Sequence, residues 1–353
     1  MNKITKNKWM ILVIVNMLIL LLICSLAAYI VDPFFQYRVK DNQYLVNTGY
    51  CSPGLIKKYD YDTILIGSSM VQNFDMELFR KELNCKPLHV GVAGMYDEDL
   101  IEYIKLANNV GKADAYYLCI DISRFALETE KNSVDYLMKN DLLSKMRYSI
   151  SYESLLRFMP IDIALSVYKK MGYTLPESFE YRISIDKLGY YAHQIVYGED
   201  VVINNWKTGT DAVAPVDTTN LYNRLVEGID NFLKQVDFSK GQYYFFFPPY
   251  SSLFWYDAQN QGYMKQYLDA EKYFVKKVSE KGATVFQFQA DDLTTDLNNY
   301  KDTTHYSAEI NDWMTDCFAK KEDIVNINNF DSYRNGVFTN IDKFYKKYSH
   351  ELN

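Results

Sequence analysis

A hydroxyl becomes a nucleophile at neutral pH when an imidazole takes its proton and a carboxylate holds the imidazole. This chain carries all three groups in two short stretches. The first stretch is YDTILIGSSMVQNF, residues 61 to 74. Thr63 to Ile66 form an apolar run that stops at Gly67-Ser68-Ser69, which predicts a buried strand entering a tight turn. In FDMELFRKEL, which follows, Phe74, Leu78, Phe79 and Leu83 fall at helical spacing, with Asn73 or Asp75 in position to cap the helix. Strand, glycine turn and helix lift a serine onto the carboxyl edge of an open α/β sheet, where ligands bind. Ser69 is the candidate nucleophile on this pattern, although such turns also serve as plain connections. The second stretch is NNYKDTTHYS, with Asp302 three residues before His305. That spacing sets both side chains on one side of a tight loop, the carboxylate holding Nδ1–H and leaving Nε2 free to take a proton. Ser307 is placed to cap a following helix whose inner face carries Ile310, Trp313, Met314 and Cys317.

The two stretches meet only if the intervening chain builds one sheet. PLHVGVAGM predicts a second strand, followed by a helix through Leu100, Ile104 and Ala107. Ala113 to Asp121 predicts a third strand, apolar almost throughout as a parallel strand should be. From Arg124 to about Val216 the alternation lapses into two amphipathic helices, Asp141 to Phe158 and Ile161 to Met171, and polar tyrosine-containing sequence. This insertion (about 124–216) reads equally as a lid, a partner-binding face or a structural excursion. A helix from Thr218 to Val236, a strand Gln242 to Pro248, a helix Gly262 to Glu280 and a strand Ala283 to Phe288 complete the pattern. The fold class is α/β, a three-layer α/β/α domain with a mostly parallel five-stranded sheet. Its expected span is 61–330, with a helical tail over 331–353.

Charge and hydropathy bound the setting. The formal net charge is −7, and the first 31 residues hold three lysines and no acid, so the remainder is more acidic still. That disfavours nucleic acid as a partner. Trp9 to Val31 pass without a charge, long enough to cross a membrane as a helix. Lys3, Lys6 and Lys8 before it predict a cytoplasmic N-terminus (1–8), an anchor (9–31) and a juxtamembrane segment (32–60), with everything after Asp32 outside. Ser25-Leu26-Ala27 resembles a signal-cleavage site, but the apolar run is too long for one. Gly49 to Lys58 reads as a loop. The five cysteines show no CxxC pair and no metal-ligand spacing, so neither a metal nor a cofactor is expected; a Cys51–Cys85 bridge is permitted, not indicated. The 32 tyrosines read as compositional bias more readily than as a sugar-stacking surface.

The ordered blocks resemble those of the SGNH (GDSL-type) hydrolase superfamily. Ile66-Gly67-Ser68-Ser69 is similar to its first block and selects Ser69 over Ser68. HVGVAGM is similar to the second, whose last glycine, here Gly94, gives a backbone N–H to the oxyanion hole together with that of Ser69. KDTTHYS is similar to the last block, which implies a triad of Ser69, Asp302 and His305. The third block of the family supplies an asparagine; this chain has Asp121-Ile122-Ser123-Arg124, leaving Ser123 as the available donor. One oxyanion donor is typically worth about 2.7 to 4 kcal/mol, so the departure bears on rate. A lysine-led anchor joined to such a domain is similar to membrane-anchored bacterial members that act on cell-surface polysaccharide and teichoic acid. The resemblance implies a serine esterase or O-acyltransferase of envelope glycan, with a membrane-bound acyl-donor protein as a further partner. Its chief rival is a catalytically weak binding or scaffold protein, and a D-alanyl transfer protein of teichoic acid ranks third. Tyr250, Trp255 and Tyr256, just after a strand, are candidates to stack on a sugar ring or to close the sheet as a rigid aromatic loop. His89 reads as a strand-end polar contact, His193 has no partner that spacing would identify and His350 lies in the polar tail, while Lys343 to Lys347 reads as a solvated basic face or a contact to anionic headgroups or polymer.

Overall fold

The computed structural model describes residues 3–40, 45–127, 134–173, 196–209 and 216–352, with the side chains of residues 3–7 left aside. His193 lies outside them. The chain divides into two compact units, one of residues 1–59 with 132–176 and one of 60–131 with 177–353. Residues 132–176 of the expected insertion thus cluster with the N-terminal segment, and its remaining residues with the larger unit.

The larger unit is built on six strands: β1 (Thr63–Gly67), β2 (Pro87–Gly91), β3 (Ala115–Cys119), β4 (Gln242–Phe247), β5 (Thr284–Gln287) and β6 (Ile324–Val325), in spatial order β2-β1-β3-β4-β5-β6. β1 to β5 pair in parallel; β6 is antiparallel to β5 and adds a sixth strand to the five expected. The strand alternation of β4 sorts its aromatics between two helical layers. Phe245 and Phe247 meet Phe274, and Phe232 joins Phe245 and Phe274 on that face. Phe246 meets Phe318 on the other face. Phe232 and Phe274 belong to α9 (Leu221–Gln235) and α11 (Met264–Ser279), and Phe318 to α12 (Ala308–Lys320). Phe318 also packs on Phe74, Tyr117, Phe286 and Phe288, so one ring closes the core of that side. α3 (Met76–Leu83), capped by Asp75 through the N–H groups of Glu77 and Leu78, packs beside α12. α4 (Asp97–Val110) lies with α9 on the opposite face. Three layers with a mostly parallel sheet are thus present.

Two stretches read as loops are helical. Gly49 to Lys58 lies within α2 (Thr48–Lys58) of the smaller unit, capped by Asn47. A Cβ on Gly54 would stand 2.0 Å from the Phe34 carbonyl oxygen, so close approach of backbones explains a glycine that propensity alone would place in a turn. The segment after Pro248-Pro249 forms α10 (Ser252–Asn260), with Ser251 accepting from the Phe254 N–H. α13 (Phe330–Leu352) is the expected tail, and its Lys343 and Lys347 pair with Asp292 and Asp296, so the basic cluster is committed within the unit. All five cysteines are free.

Glu271 on α11 is fully buried, and its Oε2 accepts from the Tyr333 hydroxyl. Burial pushes its carboxyl up to about 8. The unfolded chain releases that proton near 4.5 while the folded chain keeps it to about 8. Stability is therefore full below the unfolded value and is lost as pH rises towards 8. Glu271→Gln is expected to remove this dependence and to raise the melting temperature at pH 8 while leaving it nearly unchanged at pH 5; thermal unfolding at the two pH values checks it.

Candidate active site

In a sheet of order 2-1-3-4-5, the crevice opens where neighbouring connections diverge, between the carboxyl ends of β1 and β3. Both candidate loops serve that edge. After Gly67 the chain makes a 3-10 turn over Ser69–Val71, with Ser68 at its cap and the Ser68 Oγ accepting from the Met70 N–H. A Cβ on Gly67 would stand 2.6 Å from Val71 Cγ1 and 2.7 Å from Cys119 Cβ. Only glycine lets the strand pass that close to β3 and turn back. Ser68 is buried by the turn, and Ser69 is half-buried with its hydroxyl available.

The histidine loop is a small closed hairpin in which Tyr300 and Tyr306 bridge and the Lys301 N–H donates to the His305 carbonyl. Two bonds lash it to the serine turn. The Tyr306 hydroxyl donates to the Met70 carbonyl at 2.8 Å, and Asn311 Nδ2 on α12 donates to the same oxygen at 3.3 Å. From the other side, both the N–H and the hydroxyl of Ser251 donate to the Thr303 carbonyl. Tyr306, Asn311 and Ser251 escaped the sequence reading; the only trace was a polar residue, Asn311, on the inner face of a helix.

The outcome is a continuous hydrogen-bonded chain. Ser69 Oγ lies 2.8 Å from His305 Nε2, and His305 Nδ1 lies 2.7 Å from Asp302 Oδ2. Asp302 Oδ1 accepts from the backbone N–H of His305 at 2.7 Å and of Thr304 at 2.9 Å, and from the Thr304 hydroxyl at 3.2 Å. Burial by itself would push the Asp302 carboxyl up. The hydrogen bond from His305, with the two backbone donors, outweighs it and brings the carboxyl down to about 2. An ionised Asp302 holds the proton on Nδ1, so Nε2 faces Ser69 as an acceptor. Hydroxyl, imidazole and carboxylate are thus poised for proton transfer from Ser69.

The three groups expected to donate to an oxyanion differ in how far they are already engaged. The Ser69 N–H opens the 3-10 turn and Gly94 holds φ +71, exposed, with nothing within 4 Å of where its Cβ would be. Neither N–H makes a backbone hydrogen bond outside the regular elements. Ser123, however, is not a free donor: its hydroxyl donates to Asp121 Oδ1 at 2.6 Å, and its N–H donates to the same oxygen at 3.2 Å. Asp121 also takes Arg124 Nε at 3.3 Å. A carboxylate at the end of β3 can only accept, so it draws the neighbouring donors to itself. Between β1 and β3 lies a small cleft whose lining includes Ser68, Tyr96, Asp97, Asp121 and Arg124. The Arg124 guanidinium lies over the Tyr96 ring, 5.2 Å from its centroid.

The aromatic candidates are placed elsewhere. Trp255 is 1% exposed inside α10, and Tyr250 is buried with Asp121 as a neighbour. Tyr256 stacks on Tyr345 of α13. Tyr250 and Trp255 are thus turned into the core, while Tyr256 is half-buried against α13. His89 is buried in β2, where burial brings it down to about 4. His350 is exposed beside Glu351. Among the described residues no cluster of histidine, cysteine and carboxylate groups is arranged to hold a metal ion. What the fold and site define together is an α/β protein with a Ser-His-Asp constellation at its topological switch point. No family model matches the chain, and no curated protein matches it.

Proposed function

We propose that this protein is a membrane-anchored, extracytoplasmic serine esterase or O-acyltransferase of SGNH (GDSL) type acting on acyl esters of cell-envelope glycan. The observation that carries the reading is the unbroken path from Ser69 Oγ through His305 to Asp302, at 2.8 and 2.7 Å. In the reaction His305 Nε2 takes the Ser69 proton as Oγ bonds to the ester carbonyl carbon. The carbonyl electrons move onto oxygen, facing the N–H groups of Ser69 and Gly94. Collapse of that intermediate breaks the ester C–O bond, and the imidazolium protonates the departing alcohol. Water or a sugar hydroxyl, deprotonated by His305, then takes the acyl group from Ser69. The anchor is α1 (Lys3–Val31), whose segment Lys8–Val31 is long and apolar enough to span a membrane. The preceding lysines favour a cytoplasmic N-terminus.

The test is a fluorophosphonate probe with mass-spectrometric mapping on the full chain. Label on Ser69 that vanishes in His305→Ala is the expected result. A folded wild type that takes no label would favour a second reading, a glycan-binding or scaffold domain without turnover. One observation speaks for that reading: Asp121 consumes the Ser123 hydroxyl where the family has an asparagine donor. Transfer of D-alanyl rather than acetyl groups uses the same chemistry, and analysis of envelope esters with Ser69→Ala separates the two.

A further inference from the structure

The smaller unit carries more apolar surface than a single spanning helix requires. Beside α1 and α2 it contains α5 (Asp135–Met138), α6 (Leu142–Ile150), a π-helical turn over Glu153–Phe158 and α7 (Met159–Lys170). α6, the π turn and α7 all pack on α1. The α1 residues that lose exposure are Leu21, Cys24, Ser25, Ala27, Ala28 and Val31, a mostly small-residue stripe that admits close helix approach. Leu21 to Val31 is about 15 Å of helix, half of the roughly 30 Å hydrocarbon core.

The outer end of that span is fixed independently. Arg38 donates to the carbonyls of Tyr29 and Ile30, and Lys40 to those of Ile30 and Val31, closing the carboxyl end of α1 with cations. Asp32 accepts from the N–H groups of Gln36, Tyr37 and Arg38, and from the Tyr148 hydroxyl of α6. These charges mark the level at which the chain leaves the apolar span, and α6 is joined to them.

The faces that α6, the π turn and α7 turn away from α1 are apolar. Leu142 and Leu143 are 73% and 77% exposed, Leu156 is 70%, and Met146, Ile163 and Val167 are each close to half exposed. On α6, Leu142, Met146 and Ile150 repeat at i, i+4 and i+8, with exposed Lys145 and Arg147 on the flanks. An apolar arc bordered by cations is the pattern of a helix lying at the acyl-headgroup boundary of an anionic bilayer.

From the depth of the packing stripe and the apolar outward faces together, we infer that α6, the π turn and α7 are seated in the outer leaflet beside α1, in contact with lipid acyl chains. The unit is then a membrane-embedded platform rather than a tether. This rests on α1 spanning the membrane, and the experiment separates the two. The purified full chain is reconstituted, at low protein-to-lipid ratio, in phosphatidylglycerol and phosphatidylethanolamine vesicles containing a phospholipid with a diazirine in its acyl chain. Irradiation and peptide mapping are expected to give adducts on α6 and α7 as well as on α1. Adducts confined to α1 would overturn the inference, whether water, another protein or a second copy covers that face. No adducts on either would overturn the anchor reading with it. In Leu142→Glu/Leu143→Glu/Met146→Glu, label on α6 is expected to be lost while label on α1 is retained; undiminished label on α6 would count against a specific seat.

Discussion

Replacing His305 with alanine is expected to lower turnover of a small activated ester by roughly 10⁶-fold, with KM little changed. Ser69→Ala should match it, and the double variant Ser69→Ala/His305→Ala should be no slower than either single one. The reason is geometric. Ser69 Oγ and His305 Nε2 share one hydrogen bond at 2.8 Å, so removing either end abolishes the same proton transfer. Initial rates of the three variants decide the matter: losses that multiply would show two groups acting independently. On the proposed mechanism, whatever rate survives above that of water reports the N–H groups of Ser69 and Gly94, which no side-chain substitution removes.

Asp302→Asn is expected to cost roughly 10⁴-fold in kcat, because this loop dictates which way the new amide turns. Three donors, the His305 N–H, the Thr304 N–H and the Thr304 hydroxyl, converge on Oδ1. They hold the amide oxygen of asparagine at that position and leave its NH₂ facing His305 Nδ1. Nδ1 must then accept, the proton moves to Nε2, and Ser69 loses its base. The same substitution changes stability with a definite sign. The Asp302 carboxyl is held at about 2 against its ordinary 3.8. Its contribution, on the order of 2 kcal/mol, is present above the unfolded value and is lost as pH falls through the folded one. Asp302→Asn should therefore be less stable than wild type at pH 7 and should lose much of the wild type's acid sensitivity between pH 4 and 2. Thermal unfolding across that range, beside kcat at pH 7, tests both effects. Wild-type rate loss in mild acid is not expected to come from Asp302, which stays ionised there.

The two halves of this site were legible in unequal degree. Thr63–Gly67, Pro87–Gly91, Ala115–Cys119, Gln242–Phe247 and Thr284–Gln287 fall on the apolar runs that predicted them. Strands buried on both faces must be apolar along their length, and that leaves a strong mark in sequence. β6 has two residues, too few to carry a pattern. α2 and α10 were read as loops because glycine and proline weigh against a helix locally. Contacts from distant residues, such as the Phe34 carbonyl over Gly54, override that preference. For Trp255 and Tyr256 residue type alone leaves both a sugar-stacking and a packing role open, since it does not say which side of a helix faces the core.

The chain's own order of residues determined the apolar N-terminal helix, the parallel α/β framework and the identities of Ser69, Asp302 and His305. Periodicity, turn glycines and the local Asp-x-x-His spacing are all short-range properties. Only the tertiary structure decided that the hydroxyl and the imidazole, 236 positions apart, lie within a hydrogen bond. It did so through Tyr306 and Asn311, which meet on the Met70 carbonyl. It also decided that Asp121 takes the Ser123 hydroxyl, and that residues 132–176 join the N-terminal unit. Each of these depends on which distant groups become neighbours once the chain has closed, and no local pattern encodes that.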